Sequence, residues 1–253
     1  MQHRIVKYIL VSLVLLLSTL PALAQRGAGR GAQKQGNQGM CLGLLNAAPP
    51  SQALRAQEEV QLAYVREEEK LARDIYTTLQ EKWGVRVFGN IARGEEQHFN
   101  AVKLLLDRYR VQDPGAIDEA GRFQDPSLQT LYGDLISQGG TSLQAAFRVG
   151  AAIEDLSIHH LEKAIGETEN SELKLIYGNL KQASENHMRA FVRQLQAAGE
   201  NYAPQYIGQE AFSRIVGNQQ HTGRGMGMGY GAGGNGRRGA GPGNNGNCPR
   251  IQP

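Results

Sequence analysis

Cysteine is almost absent: Cys41 and Cys248 are the only two in 253 residues. Their wide separation gives no metal-binding spacing, and the lack of any paired Cys-x-x-Cys motif excludes a built-in rubredoxin-type iron centre. In an oxidising compartment the two can pair, with an intermolecular bridge or two free thiols as the alternatives. A strong excess of one charge is missing too. The net charge is +3, and the excess sits near the N-terminus and in arginines such as Arg26, Arg30, Arg237 and Arg238. A nucleic-acid partner is therefore not expected, and the Gly/Arg-containing stretch 223–241 reads as a solvated tail. Ser, His and Asp show no nucleophile signature, and the glycine-rich tail lacks the strand and helix context of a phosphate loop.

No apolar run is long enough to span a bilayer comfortably. The longest, Ile9 to Leu20, follows Arg4 and Lys7 and ends at Pro21-Ala-Leu-Ala24, the pattern of a secretory signal peptide cleaved after Ala24. An uncleaved anchor is the alternative. Residues 1–24 are thus expected to be a leader, which makes the protein secreted or periplasmic and leaves no transmembrane segment after cleavage. Residues 25–57 and 216–253 are dominated by Gly, Gln, Asn, Arg and Pro, too poor in apolar surface to fold, and are read as disordered segments. The remaining residues 58–215 have the size of one domain.

Within that domain four long stretches lack internal proline and carry apolar residues at steps of three and four, which predicts helices with one buried stripe each. They run from about Glu58 to Trp83, Phe88 to Tyr109, Ser142 to Ile165 and Ser171 to Ala198. Gly84 and Gly199 stop the first and last, and Thr141 or Ser142 caps the third. The first and third connections span only a few residues, so those pairs are antiparallel neighbours, whereas about thirty residues separate the second and third helices. Inside that crossover Ser127 to Ile136 reads as a short helix with Leu128, Leu131, Tyr132, Leu135 and Ile136 on one face. Two hairpins joined by one crossover give an all-α fold class with the connectivity of a four-helix bundle.

The informative residues are those that interrupt the apolar stripes. The first stripe reads Leu62, Val65, Glu69, Ala72, Tyr76, Leu79, and the second Phe88, Ile91, Glu95, His98, Val102, Leu105. The third is Leu143, Phe147, Ala151, Glu154, Ile158, Leu161, and the fourth Leu173, Ile176, Leu180, Ser184, His187, Phe191. Glu95 and His98, three apart, share one helix face and are able to hold the same ion. Glu67, Glu68 and Lys70 fall on other faces and read as solvated surface. Ionised carboxylates in a core are costly and repel one another. A metal pair relieves both costs; pairing of the carboxylates with Arg73 or Arg93 is the structural alternative. His159 and His160 lie off the stripe, where a surface or supporting role is expected, and Trp83 and Tyr76 read first as packing.

The segments Arg66-Glu-Glu-Glu-Lys-Leu-Ala-Arg-Asp-Ile-Tyr76 and Phe88-Gly-Asn-Ile-Ala-Arg-Gly-Glu-Glu-Gln-His98, with Gly150-Ala-Ala-Ile-Glu-Asp155 and Ser184-Glu-Asn-His187-Met-Arg-Ala-Phe191, resemble the domain of unknown function 2202. That family is placed in the ferritin-like superfamily, and the likeness covers the folded segment and neither tail. Glu69-x-x-Ala72-Arg73-x-x-Tyr76 is also similar to the first helix of rubrerythrins. The resemblance implies a ferritin-like bundle with iron-dependent redox chemistry: reduction of peroxide or oxygen, or oxidation of ferrous iron. It implies Glu69 and Glu154 as single-helix metal ligands, Glu95 as a bridging one, His98 and His187 as nitrogen donors, and Tyr76 as the catalytic residue beside the metals. The implied cofactor is iron, two ions or one, with manganese or zinc as alternatives. The chain departs from the superfamily pattern at Ser184, where a second bridging glutamate is usual, and neither Glu185, Glu162 nor Ser157 is an obvious substitute. A site poorer in carboxylate favours the rival expectation, a bundle that stores or carries metal, or binds a partner, without turnover. Metal ions are the expected partners; the sequence leaves the assembly state open, a homo-oligomer included.

Overall fold

The computed structural model describes residue 50 and residues 52–217. The expected leader of residues 1–24, both cysteines and nearly all of the two expected tails lie outside the described residues. Among the described residues all regular structure is helical: α1 (Ala56–Trp83), α2 (Arg86–Tyr109), α3 (Pro126–Gly139), α4 (Leu143–Glu167), α5 (Ser171–Ala197) and α6 (Gln209–Gly217).

The helix ends follow local chemistry. Glu58 reaches back from the first turn of α1 to accept the Arg55 backbone N–H at 2.8 Å, satisfying a donor that has no partner within the helix. Gly84 ends α1 at φ 67°, a left-handed conformation open to glycine without steric cost. Ser142, not Thr141, caps α4: its Oγ accepts the Ala145 N–H at 3.0 Å. The Asn170 side chain does the same for Glu172 and Leu173 at the start of α5. The crossover helix begins one residue before Ser127, with Pro126 in its first turn and Asp125 as its cap, and it continues past Ile136 to Gly139.

The α1–α2 and α4–α5 hairpins are each tightly packed. The two meet through contacts of α1 with α4 and of α2 with α5, while α3 lies against α1 and α4. Two apolar clusters fill the interior. One contains Leu62, Val65, Val102, Leu105, Leu173, Ile176 and Leu180; the other contains Ile75, Tyr76, Leu79, Phe88, Ile91, Met188 and Phe191. Along α1, α2 and α5 the gap between the clusters falls at Glu69, at Glu95 and His98, and at Ser184 and His187. A polar layer therefore crosses the middle of an otherwise dry core.

Two expectations need correction. The charge run on α1 is not solvated: Arg66, Glu67, Glu68, Lys70 and Asp74 are all buried, because the crossover lies over four of them and His160 of α4 pairs with Glu68. Arg66 donates to Asp113 and to the Phe99 carbonyl, Lys70 to Asp74 and the Glu119 carbonyl, and Glu67 accepts the backbone N–H groups of Gln124 and Asp125. Helical periodicity places these residues off the main stripe, but it cannot register a loop that covers them from outside. The second correction concerns the C-terminal boundary. Residues 209–217 form α6, so Val216 and Gly217 are helical, not part of a tail. Phe212 and Ile215 bury the amphipathic face of α6 against the core, and its helix contacts are with α5.

Candidate metal centre

The stripe residues singled out by the sequence converge. Glu69, Glu95 and His98 each present a ligand atom within 4.8 Å of the others, and Glu95, Glu154 and His187 form a second such group. Glu95 belongs to both. Helix geometry accounts for this. The i, i+3 spacing puts Glu95 and His98 one turn apart on one face of α2, with Glu69 on α1 beside them and Glu154 on α4 and His187 on α5 across the layer. Glu69, Glu95 and Glu154 are each 4% exposed or less, so water does not screen them.

The distances are those of donors arranged around common points. His98 Nδ1 lies 2.8 Å from Glu95 Oε2 and 3.3 Å from Glu69 Oε2. His187 Nδ1 lies 2.7 Å from Glu95 Oε1 and 3.7 Å from Glu154 Oε1. His187 Nδ1 and Glu95 Oε1 are both buried, and neither has a hydrogen-bond partner beyond the other. At that distance the two atoms can share a proton or ligate a common cation, and separations near 3 Å fit metal–ligand bonds of about 2.0–2.2 Å. The rings of His98 and His187 are 5.7 Å apart. Gly94 makes room for the second: a Cβ there would sit 3.3 Å from His187 Nε2.

In the absence of a cation, protons take its place. Burial pushes Glu69 up to about 8 despite the opposing pull of His98, and burial with repulsion from Glu95 raises Glu154 as well. Burial acts the same way on Glu95, but His187 and His98 on either side outweigh it and hold that carboxyl well below the usual range. Burial would lower both imidazoles, yet the carboxylates prevail: His187 is pushed up to about 10 and His98 is raised well above its ordinary value. A metal entering this layer would displace those protons.

Tyr76 lies in both worlds. Its ring packs 5.2 Å from that of Phe191, and its hydroxyl donates to Glu154 Oε1 at 2.6 Å. Burial and the neighbouring Glu154 and Glu95 raise its pKa well above the phenol value. The structural alternative for the acidic residues is not realised. Arg73 pairs with Asp74, Glu96 and Asp118 and Arg93 bonds Asn90, so neither neutralises the three core carboxylates. Glu162 and Glu185 turn outward to Lys181. Ser184 is buried and faces Ser157, with their hydroxyls 3.3 Å apart.

Two supporting residues were not singled out in the sequence. Glu68 bonds His160 Nδ1 at 2.6 Å, linking α1 to α4 one residue from Glu69. Asp155, fully buried next to Glu154, accepts from the Tyr202 hydroxyl and from the backbone N–H groups of Gln205, Tyr206 and Ile207. Asp155 lies off the apolar stripe, and nothing local distinguishes it from a surface aspartate.

Comparison with known proteins bears out the family resemblance read from the sequence. Residues 58–219 match the family described as "Uncharacterized protein domain (DUF2202)". The chain belongs to that family. Uncharacterized protein MJ0754 of Methanocaldococcus jannaschii is 47% identical over 174 residues, which are 69% of this chain and 94% of that protein. The crystal structure of hypothetical protein MJ0754 from Methanococcus jannaschii superposes with a TM-score of 0.67 at 45% identity, covering 69% of this chain and all of that one. Among the described residues no helix is long and apolar enough to cross a membrane.

Proposed function

We propose that α1, α2, α4 and α5 form a four-helix bundle of the ferritin-like type that holds a pair of metal ions, iron first, and acts as a non-haem iron oxidoreductase. It reduces peroxide or oxygen, or oxidises ferrous iron, and the leader read in residues 1–24 places it in the periplasm or outside the cell. The observation that carries this reading is Glu95. Its two oxygens serve two separate ligand groups, Oε2 toward His98 and Glu69, Oε1 toward His187 and Glu154. A carboxylate shared in this way would be able to hold two ions at once.

Glu69 with His98 would hold one ion and Glu154 with His187 the other, leaving coordination positions open. Iron, when bound, supplies one-electron steps between ferrous and ferric states. The chain's own contribution is to exclude water through the two flanking apolar clusters and to orient Glu154. Tyr76 keeps a proton on its hydroxyl oxygen directly against Glu154, where a proton donor is of use. The second reading, a metal store or carrier without turnover, is favoured by Ser184, which brings no charge to the layer.

Anaerobic loading with ferrous iron followed by elemental analysis tests the reading. The wild type is expected to retain two ions per chain and to develop a charge-transfer absorption on adding peroxide. Glu95→Ala and His98→Ala are expected to lose metal and absorption together. Bound iron without the absorption points to the carrier; no bound metal, or equal retention by Glu95→Ala, overturns the proposal.

A further inference from the structure

The two hairpins bring unequal halves to the polar layer. From α1 and α2 come Glu69 and the pair Glu95-x-x-His98; from α4 and α5 come Glu154 and the pair Ser184-x-x-His187. The position on α5 that matches Glu95 therefore has a hydroxyl instead of a carboxylate. Ser184 is 2% exposed and meets Ser157 Oγ at 3.3 Å. Ser157 follows Glu154 by three residues and Ser184 precedes His187 by three, so this hydroxyl pair sits one helical turn from the Glu154–His187 pair, across the same α4–α5 seam. The pair has two hydroxyl protons and its mutual bond uses one. Neither oxygen has another partner among the described residues, so one proton remains to be donated.

Charge points the same way. Two divalent cations against Glu69, Glu95 and Glu154, with neutral imidazole ligands, leave one positive charge uncompensated in a dry interior. The other buried acids nearby are already engaged: Glu67 by the Gln124 and Asp125 N–H groups, Glu68 by His160, and Asp155 by residues 202–207. We infer that the loaded site takes up a small carboxylate-type monoanion of about formate size, held by the Ser157 and Ser184 hydroxyls, in place of the carboxylate that α5 lacks. This rests on the metal-pair reading above. The anion accepts a hydrogen bond from the spare hydroxyl and, still charged, balances the second cation.

Cobalt(II) is the probe, since its visible spectrum reports ligand changes without any turnover. Elemental analysis of the loaded protein should give two cobalt ions per chain, and added sodium formate should then produce a saturable spectral change. Ser184→Glu supplies its own carboxylate and should keep two cobalt ions while losing the response to formate. Ser157→Ala should weaken formate binding roughly tenfold with unchanged cobalt content, the loss of one hydrogen bond to a charged acceptor. Two bound cobalt ions with no formate response, or an undiminished response in Ser184→Glu, overturns the inference and leaves the metal-pair reading intact. A single bound ion removes the uncompensated charge and also overturns it. No bound cobalt overturns the metal-pair reading itself.

Discussion

Gly150 sits where Phe191 crosses α4, and a Cβ added there would lie 2.6 Å from the Phe191 ring. The ring is not free to retreat, because it is fully buried and packs against Tyr76 and Phe88. Gly150 also offers its carbonyl to the Tyr76 hydroxyl at 3.3 Å, beside the stronger bond to Glu154. One missing methyl group thus sets the position of a phenylalanine, a tyrosine and a core carboxylate. Gly150→Ala is expected to destabilise the protein by about 1–3 kcal/mol through overpacking, read from the denaturant midpoint. A change within about 0.5 kcal/mol would mean that the ring has somewhere else to go.

Contacts between elements are less apolar than helix packing alone requires. Asp155 on α4 binds the segment leading to α6 through four donors. Without the Asp155 carboxylate, the backbone N–H groups of Gln205, Tyr206 and Ile207 would lose their acceptor. Glu68 and His160 join α1 to α4, and the carboxylate raises the imidazole pKa above its ordinary value, outweighing burial. The raised pKa fixes the sign of the pH dependence. The pair's contribution to stability is fully present below the unfolded histidine pKa of about 6.5 and disappears as pH rises through the higher folded value. The stability difference between wild type and His160→Gln, measured by urea unfolding, should therefore shrink as pH is raised from about 6 upward. A difference that is constant or grows with pH would show that the pair holds the helices together without the charge.

For the molecule as a whole, a polar layer in the middle of the core stabilises the fold only when its charges are matched. Metal bound to the folded state alone, at a hundred times its dissociation constant, adds about 2.7 kcal/mol. For a domain of this size that corresponds to a rise in Tm of roughly 5–10 °C. Thermal unfolding should show this rise with ferrous iron or cobalt, reversal by a chelator, and no rise in Glu95→Ala. An equal shift in that variant would place the binding elsewhere.

Local pattern was enough for the long helices. Their stripes of Leu, Ile and Phe at three- and four-residue steps, with Gly84 and Ser142 at the ends, depend only on neighbours along the chain. The same stripes exposed Glu69, Glu95, His98, Glu154 and His187, because a charged residue in an apolar seam is visible without coordinates. What lay beyond the sequence needed a third dimension. The crossover that buries Arg66, Glu67 and Lys70, the hold of Asp155 on residues 202–207, and the facing of Ser157 and Ser184 all join positions distant in the chain. Periodicity determines which face of a helix is apolar; only tertiary packing decides what covers the other faces and which oxygen meets which nitrogen.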